Sequence, residues 1–186
     1  MYQSFYKSRL NRYGHDVASV GWRSRETQER RFKALLSSHV TQSSNLILDV
    51  GSGLGDLFHY IKKYKINCQY IGIDSCLDMI EHAREAYPSG IFVHKDLNEV
   101  DDDFISDSVV ASGLFNLVEG DQYKYLEKSL VKMIPLAIKY VVFNVLAATK
   151  HNKPQPPFKY FTKDKVMQTI DTCLCKCGVS SSSRVI

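Results

Sequence analysis

Asp49 stands at the end of the apolar run "NLILDV", Asp74 closes "CQYIGID", and Asp96 follows "GIFVHK". After the first of these runs glycine occupies every second position, at Gly51, Gly53 and Gly55. Glycines at such a turn let a ligand approach the backbone closely, and the start of the following helix offers free N–H groups. Two cofactor chemistries use a corner of this kind. The dinucleotide fingerprint G-x-G-x-x-G needs a glycine three residues after Gly53, where this chain has Asp56. A carboxylate at Asp49 would also repel a pyrophosphate and attract an ammonium group. The pattern therefore points to a zwitterionic amino-acid cofactor in place of a diphosphate one.

The elements that must position these residues read as alternating strands and helices. Phe32, Leu35, Leu36 and Val40 recur at helical spacing over residues 26–40, behind Ser24 as a cap. Strands are expected over 45–50, 68–74, 90–97, 108–115 and 139–148, and helices over 55–64, 75–87, 123–138 and 161–174. Ser75 and Asp78 stand in the relation of a capping box, and Pro135 is expected to break the helix over 123–138 near its end. Continuous β-branched runs suit parallel strands buried on both faces. The fold class is α/β, a doubly wound, mostly parallel sheet with helices on both faces.

With 186 residues, 44% of them hydrophobic, the chain suits one domain with a sizeable core. No apolar stretch reaches the roughly 18 residues of a membrane helix, and a soluble cytoplasmic protein is expected. The five cysteines are odd in number and follow no secreted framework, which suits reduced thiols. Residues 1–33 hold eight Lys/Arg against three Asp/Glu, residues 34–147 nine against fifteen, and residues 148–186 seven against two. Two basic ends flank an acidic middle. They are read as solvated faces first, and as an attraction for an anionic partner second.

The segment "LDVGSGLGDL" resembles the first cofactor motif of the class I S-adenosylmethionine-dependent methyltransferases, and the resemblance extends over residues 20–147. It implies a Rossmann-like fold, S-adenosylmethionine as cofactor and S-adenosylhomocysteine as product. By that resemblance Gly51, Ser52, Gly53 and Gly55 take the methionine part, with Asp49 orienting its amino end. Asp74 takes the ribose hydroxyls, with Ser75 and Met79 following it on the cofactor side. Asp96 accepts the adenine amino group beside Leu97, and Ser112, Gly113, Phe115 and Asn116 lie at the mouth near the methyl group. The run "GW.S.E.Q..RF" resembles a lead-in of small bacterial members of the family and places Trp22, Ser24, Gln28 and Arg31. Trp22 and Arg31 are expected either in a lid over the cofactor or as one core and one exposed residue.

Methyl transfer needs alignment and exclusion of water more than a dedicated base. Asn116 is a candidate for orienting the acceptor, and Glu119 and His151 are candidate bases; solvated loop roles compete with each. The "N/D-P-P-Y/F" signature resembling exocyclic-amine methylation is absent after the fourth strand, where "SGLFN" stands, and no Pro-Cys nucleophile occurs. These absences lower DNA-base methylation. "CLCKCG" matches no common zinc spacing, so no metal is expected.

The chain is thus expected to form a single domain over 1–186. A helical lead-in or lid covers 1–40, a cofactor-binding core 45–147, and a substrate-side loop, helix and shortened last strand 148–186. A sheet lacking its final hairpin would expose the fifth strand's edge to a homodimer partner. A small-molecule acceptor is favoured. A non-catalytic cofactor-binding module or partner subunit is the alternative, and an RNA methyltransferase using the basic ends is the next.

Overall fold

The computed structural model describes residues 2–149, 155–179 and 185. Its strands are β1 (Leu46–Val50), β2 (Gln69–Asp74), β3 (Ile91–His94), β4 (Ser106–Ser112) and β5 (Ala137–Asn144), all parallel, in the order β3-β2-β1-β4-β5. The order reverses between β1 and β4. Their connections leave in opposite directions and open a crevice at the strands' carboxyl ends.

The helices are α1 (Tyr2–Tyr13), α2 (Arg25–Leu35), α3 (Ser38–Ser43), α4 (Asp56–Lys63), α5 (Leu77–Ala86), α6 (Gln122–Leu136) and α7 (Lys163–Lys176). Alternation along the strands divides the core between two faces. Ile47, Tyr70, Phe92, Val110 and Val142 pack with α2, α4 and α5. Leu48, Ile73, Val109, Ala111 and Val141 pack with α6 and α7. Because both faces are covered, the strands have little room for polar side chains, and Asp49 at 2% exposure is an exception in need of a reason.

Several local expectations are corrected. The helix expected over 26–40 is two, because α2 ends at Leu35 and α3 starts at Ser38, although Ser24 does cap α2 by accepting from the Thr27 amide. The cap of α5 is Cys76, without a side-chain hydrogen bond, in place of the expected Ser75. Asp74 Oδ1 accepts the Cys76 amide at 2.8 Å and so anchors the chain at that turn. Pro135 lies inside α6, which continues to Leu136 and turns directly into β5. Proline has no N–H for the Val131 carbonyl one turn back; the Cys177 thiol at the end of α7 points there at 3.9 Å. This contact gives one of the three clustered cysteines a packing role.

α1 is a separate helix that the polar, basic sequence hides, since Leu10 is its one fully buried side chain among those described. Leu10 packs with Leu54 and Met79, and the Arg9 guanidinium donates to the Ala18 carbonyl at 2.7 Å. The expected last strand falls mostly outside the described residues; Val185 forms a single parallel bridge to Val141 on β5. No helix among the described residues is long and apolar enough to cross a membrane.

Candidate active site

The crevice holds a cavity of about 280 Å³ that runs along the carboxyl ends of β1, β2 and β4. Gly51 and Gly53 form part of its floor, and Asp74, Asp96 and Ser112 come to it from three different strand ends. The sequence separates the successive turns by 16 to 22 positions; parallel pairing puts them side by side.

The glycine turn works by space. Gly51, Gly53 and Gly55 all have positive φ, at 77°, 53° and 79°. A Cβ at Gly55 would meet the Phe92 ring at 2.8 Å, so glycine is required there on two counts. The turn's amides are engaged within the fold: those of Gly51 and Ser52 donate to the Ile73 carbonyl and that of Gly53 donates to Asp74 Oδ2 at 2.9 Å. What the turn offers a ligand is close approach.

Asp74 therefore has one amide on each carboxylate oxygen and keeps further lone pairs for a diol. Burial pushes its pKa up, and the two amide donors oppose that shift. Asp96 caps a short 3-10 turn over Leu97–Glu99 by accepting from the Asn98 amide, in a capping box with Glu99, and still lines the cavity. Ser75, Met79, Leu97 and Gly113 line it too.

Asp49 lies deeper, on the wall of a second space of about 40 Å³ beside the turn, shared with Ser52. Its Oδ2 accepts the Tyr70 hydroxyl at 2.7 Å. That bond needs Gly72 between them, because a Cβ there would sit 2.9 Å from the Tyr70 oxygen and 2.8 Å from Ser52 Cβ. Burial pushes the Asp49 carboxyl up to about 7; the Tyr70 bond opposes this, and the Asp74 and Asp56 charges add to it. An ammonium group nearby would reverse the shift.

The roof comes from outside the sheet. Tyr6 of α1, Val20 and Trp22 line the main cavity from above, and Trp22 also borders the smaller one. The Arg31 guanidinium stacks over the Trp22 ring at 4.4 Å, and one of its nitrogens is buried without a partner. Trp22 is thus a wall of the site, while Arg31 stands behind it. Residues 155–161 brace this roof: Phe158 packs against Phe5 and Gly21, and the Lys159 amide donates to the Asn116 carbonyl at 2.8 Å.

Not every expected residue reaches the site. Phe115 is fully buried, edge-on to Phe143 and Tyr125, and is a core residue. Gly55 caps α4 beneath the turn. Asn116 is next to Gly113 with its Oδ1 buried and unpartnered, but it does not line either cavity. Glu119 lines the main cavity. His151 lies outside the described residues. Sequence reasoning missed Tyr6, Tyr70, Gln28 and Tyr125 as site residues. Only Gln28 carried a signal, as part of the lead-in run.

Comparison with known proteins agrees with this geometry. A family model described as "Methyltransferase domain" matches residues 47–133. No curated protein matches the sequence. Among solved structures, magnesium protoporphyrin IX methyltransferase from Synechocystis PCC 6803, with bound S-adenosylhomocysteine, superposes with a TM-score of 0.67 at 15% identity, over 92% of this chain and 85% of that one. The Burkholderia thailandensis 1,6-didemethyltoxoflavin-N1-methyltransferase gives 0.67 at 17% identity, over 92% and 75%. Human N-acetylserotonin methyltransferase, in complex with S-adenosylmethionine, gives 0.68 at 13%, over 92% and 52%. At these identities the superpositions speak to the fold, and the family match speaks to the domain. Residues 47–133 thus match a methyltransferase domain model, and the chain shares the Rossmann-like fold of methyltransferases crystallised with S-adenosylmethionine or S-adenosylhomocysteine.

Proposed function

We propose that this chain transfers the methyl group of S-adenosylmethionine to a small-molecule acceptor. The observation that carries the reading is the convergence of Gly51, Gly53, Asp74 and Asp96 on one cavity. The residues fit the cofactor on structural grounds. Positive-φ glycines leave room for a ligand against the backbone, Asp74 keeps acceptor capacity for vicinal hydroxyls, and Asp49 is a buried carboxylate awaiting a cation. Met79 and Leu97 supply apolar cover where a purine would lie.

When bound, the cofactor supplies a sulfonium methyl group that an acceptor lone pair attacks in line, the broken C–S pair returning to sulfur. The chain's part is to hold and enclose. Asn144 donates to Ser112 Oγ at 3.0 Å and accepts the Gly113 amide at 3.2 Å, which fixes the end of β4 where the acceptor would stand. Tyr6, Val20 and Trp22 exclude water from above. Glu119 lines the cavity and is the described residue placed to take a proton from an acceptor that arrives protonated.

A cavity roofed by Tyr6, Val20 and Trp22 suits a small acceptor better than a polymer. The porphyrin, toxoflavin-precursor and N-acetylserotonin enzymes of the same fold support this choice. The test is a screen with methyl-labelled S-adenosylmethionine against small-molecule pools and against RNA. Label transfer to a small molecule, with S-adenosylhomocysteine formed in equal amount, is expected. Transfer to RNA alone would overturn the acceptor class.

A further inference from the structure

Four buried polar atoms among the described residues have no hydrogen-bond partner: Gln28 Oε1, Arg31 Nη1, Ser52 Oγ and Asn116 Oδ1. Folded proteins rarely leave such atoms unpaired, so each one asks what fills its place. Two of the four belong to residues that wall the same space, the small cavity of about 40 Å³ beside the glycine turn, together with Asp49.

We propose that Asp49, Gln28 and Ser52 form a three-oxygen cage for the α-ammonium group of the cofactor, and that Gln28 is the residue through which the site selects for that group. This rests on the cofactor assignment above and adds to it a residue that neither the glycine motif nor the strand-end acids contain.

The number and kind of atoms match. A primary ammonium has three N–H donors and no acceptor, and the cage offers a carboxylate, an amide oxygen and a hydroxyl. The size matches as well, since a space of about 40 Å³ admits one group of roughly the volume of a water molecule. Gln28 is only 2% exposed, and its amide cannot turn freely. Its Nε2 donates to Asp56 Oδ2 at 2.8 Å, and a carboxylate can only accept, so Oε1 is left as the open end. Asp56 is held in that role by Arg25, whose guanidinium stands 3.8 Å from its other oxygen. Ser52 is fixed by its own amide, which donates to the Ile73 carbonyl at 3.0 Å, and by the missing side chain of Gly72. Tyr70 fixes Asp49 from β2.

Charge points the same way. Asp49 is faced by Asp56 from α4 and Asp74 from β2, and of the four cations on α2, Arg25, Arg30, Arg31 and Lys33, Arg25 and Arg31 have partners elsewhere. The Arg25 charge is matched to Asp56 and half-exposed, and Arg31 lies against Trp22. The Asp49 carboxylate has no cationic partner within ion-pairing distance among the described residues. A cation is the ligand group that fits.

Calorimetry on the full chain tests the cage with three probes: S-adenosylhomocysteine, its N-acetyl derivative, which keeps the carboxylate and loses the ammonium, and 5′-methylthioadenosine, which lacks the amino-acid end. Gln28→Leu is expected to weaken S-adenosylhomocysteine about 10- to 100-fold while leaving 5′-methylthioadenosine within about twofold. Ser52→Ala should give the same pattern at roughly three- to tenfold, and it guards against a fold defect in the larger substitution. The N-acetyl derivative should bind the wild type more weakly than S-adenosylhomocysteine and be indifferent to Gln28→Leu. Parallel loss of all three probes would make Gln28 a support of the fold. Unchanged binding of S-adenosylhomocysteine would mean that the small cavity holds only water. Equal binding of the N-acetyl derivative would mean that it receives no ammonium. Each of these three results overturns the cage, whereas a folded wild type that binds no probe overturns the cofactor assignment beneath it.

Discussion

The floor and the roof of the cavity are built on different principles. The floor is sheet and turn: Gly51, Gly53, Asp74 and Asp96 sit on strand ends whose backbones are paired on both sides or capped. The roof is α1, Val20 and Trp22, braced by residues 155–161 and attached through contacts such as the buried Leu10 and the half-buried Phe158 packed on Phe5. Its ion pair, Lys7–Asp78 at 3.0 Å, is on the surface and contributes little. A rigid floor can hold a cofactor in one geometry, and a lightly attached roof can open to admit it and close to exclude water.

The largest effect should come from disturbing the floor. Gly55→Ala places a methyl group against Phe92 and Tyr87 at positive φ, and should cost about 2–4 kcal/mol by strain and overpacking. Thermal unfolding measures it; a midpoint within a degree of wild type would mean that the turn yields.

Next is pH. The Asp49 carboxyl is pushed up to about 7, so below that value it holds a proton and cannot pair with an ammonium group. Cofactor affinity should therefore fall as pH drops through about 7. The ligand-free fold has the opposite slope. A raised carboxyl pKa stabilises below the unfolded value and is lost as pH rises towards 7, so the free protein should lose stability between about 4 and 7. Binding and unfolding measured across that range must show opposite trends, and parallel trends would remove Asp49 from the amino-acid end.

Tyr70→Phe sharpens the same point. The hydroxyl lowers the Asp49 pKa, so its removal should move the pH midpoint of binding upward by about one unit. A loss of affinity at every pH with an unmoved midpoint would make Tyr70 a packing residue only.

The smallest global effect should come from the roof. Leu10→Ala should speed amide exchange throughout α1 while changing global unfolding by less than about 1 kcal/mol. A full core-type loss would show that α1 is part of the floor's cooperative unit.

The contrast also explains what could be read from the sequence. Strand-end acids and alternating glycines leave a local imprint, which is why Asp49, Asp74 and Asp96 can be placed before any coordinates. Tyr70 has no such imprint: its reach to Asp49 depends on the β1–β2 register, which pairs Asp49 with Gly72 and Ile47 with Tyr70. Gln28 meets Asp56 across 28 positions, and the link is visible only once α2 packs beside α4. The helix after β2 starts one residue later than the Ser75 reading, at Leu77 with Cys76 as its cap, and Asp74 holds the Cys76 amide at that turn. Phe115 was expected at the mouth from its place after β4, but the turn at Gly113, with φ of 84°, sends the chain back and the ring into the core.

The measurement that bears most directly on the central claim is a calorimetric titration of the full chain with S-adenosylmethionine, beside Asp74→Ala checked for folding by circular dichroism. Removing a buried acceptor for two hydroxyls should weaken binding by at least about 100-fold, with the wild type binding at one site per chain. Equal affinity in the two proteins, or no binding by a folded wild type, would contradict the account.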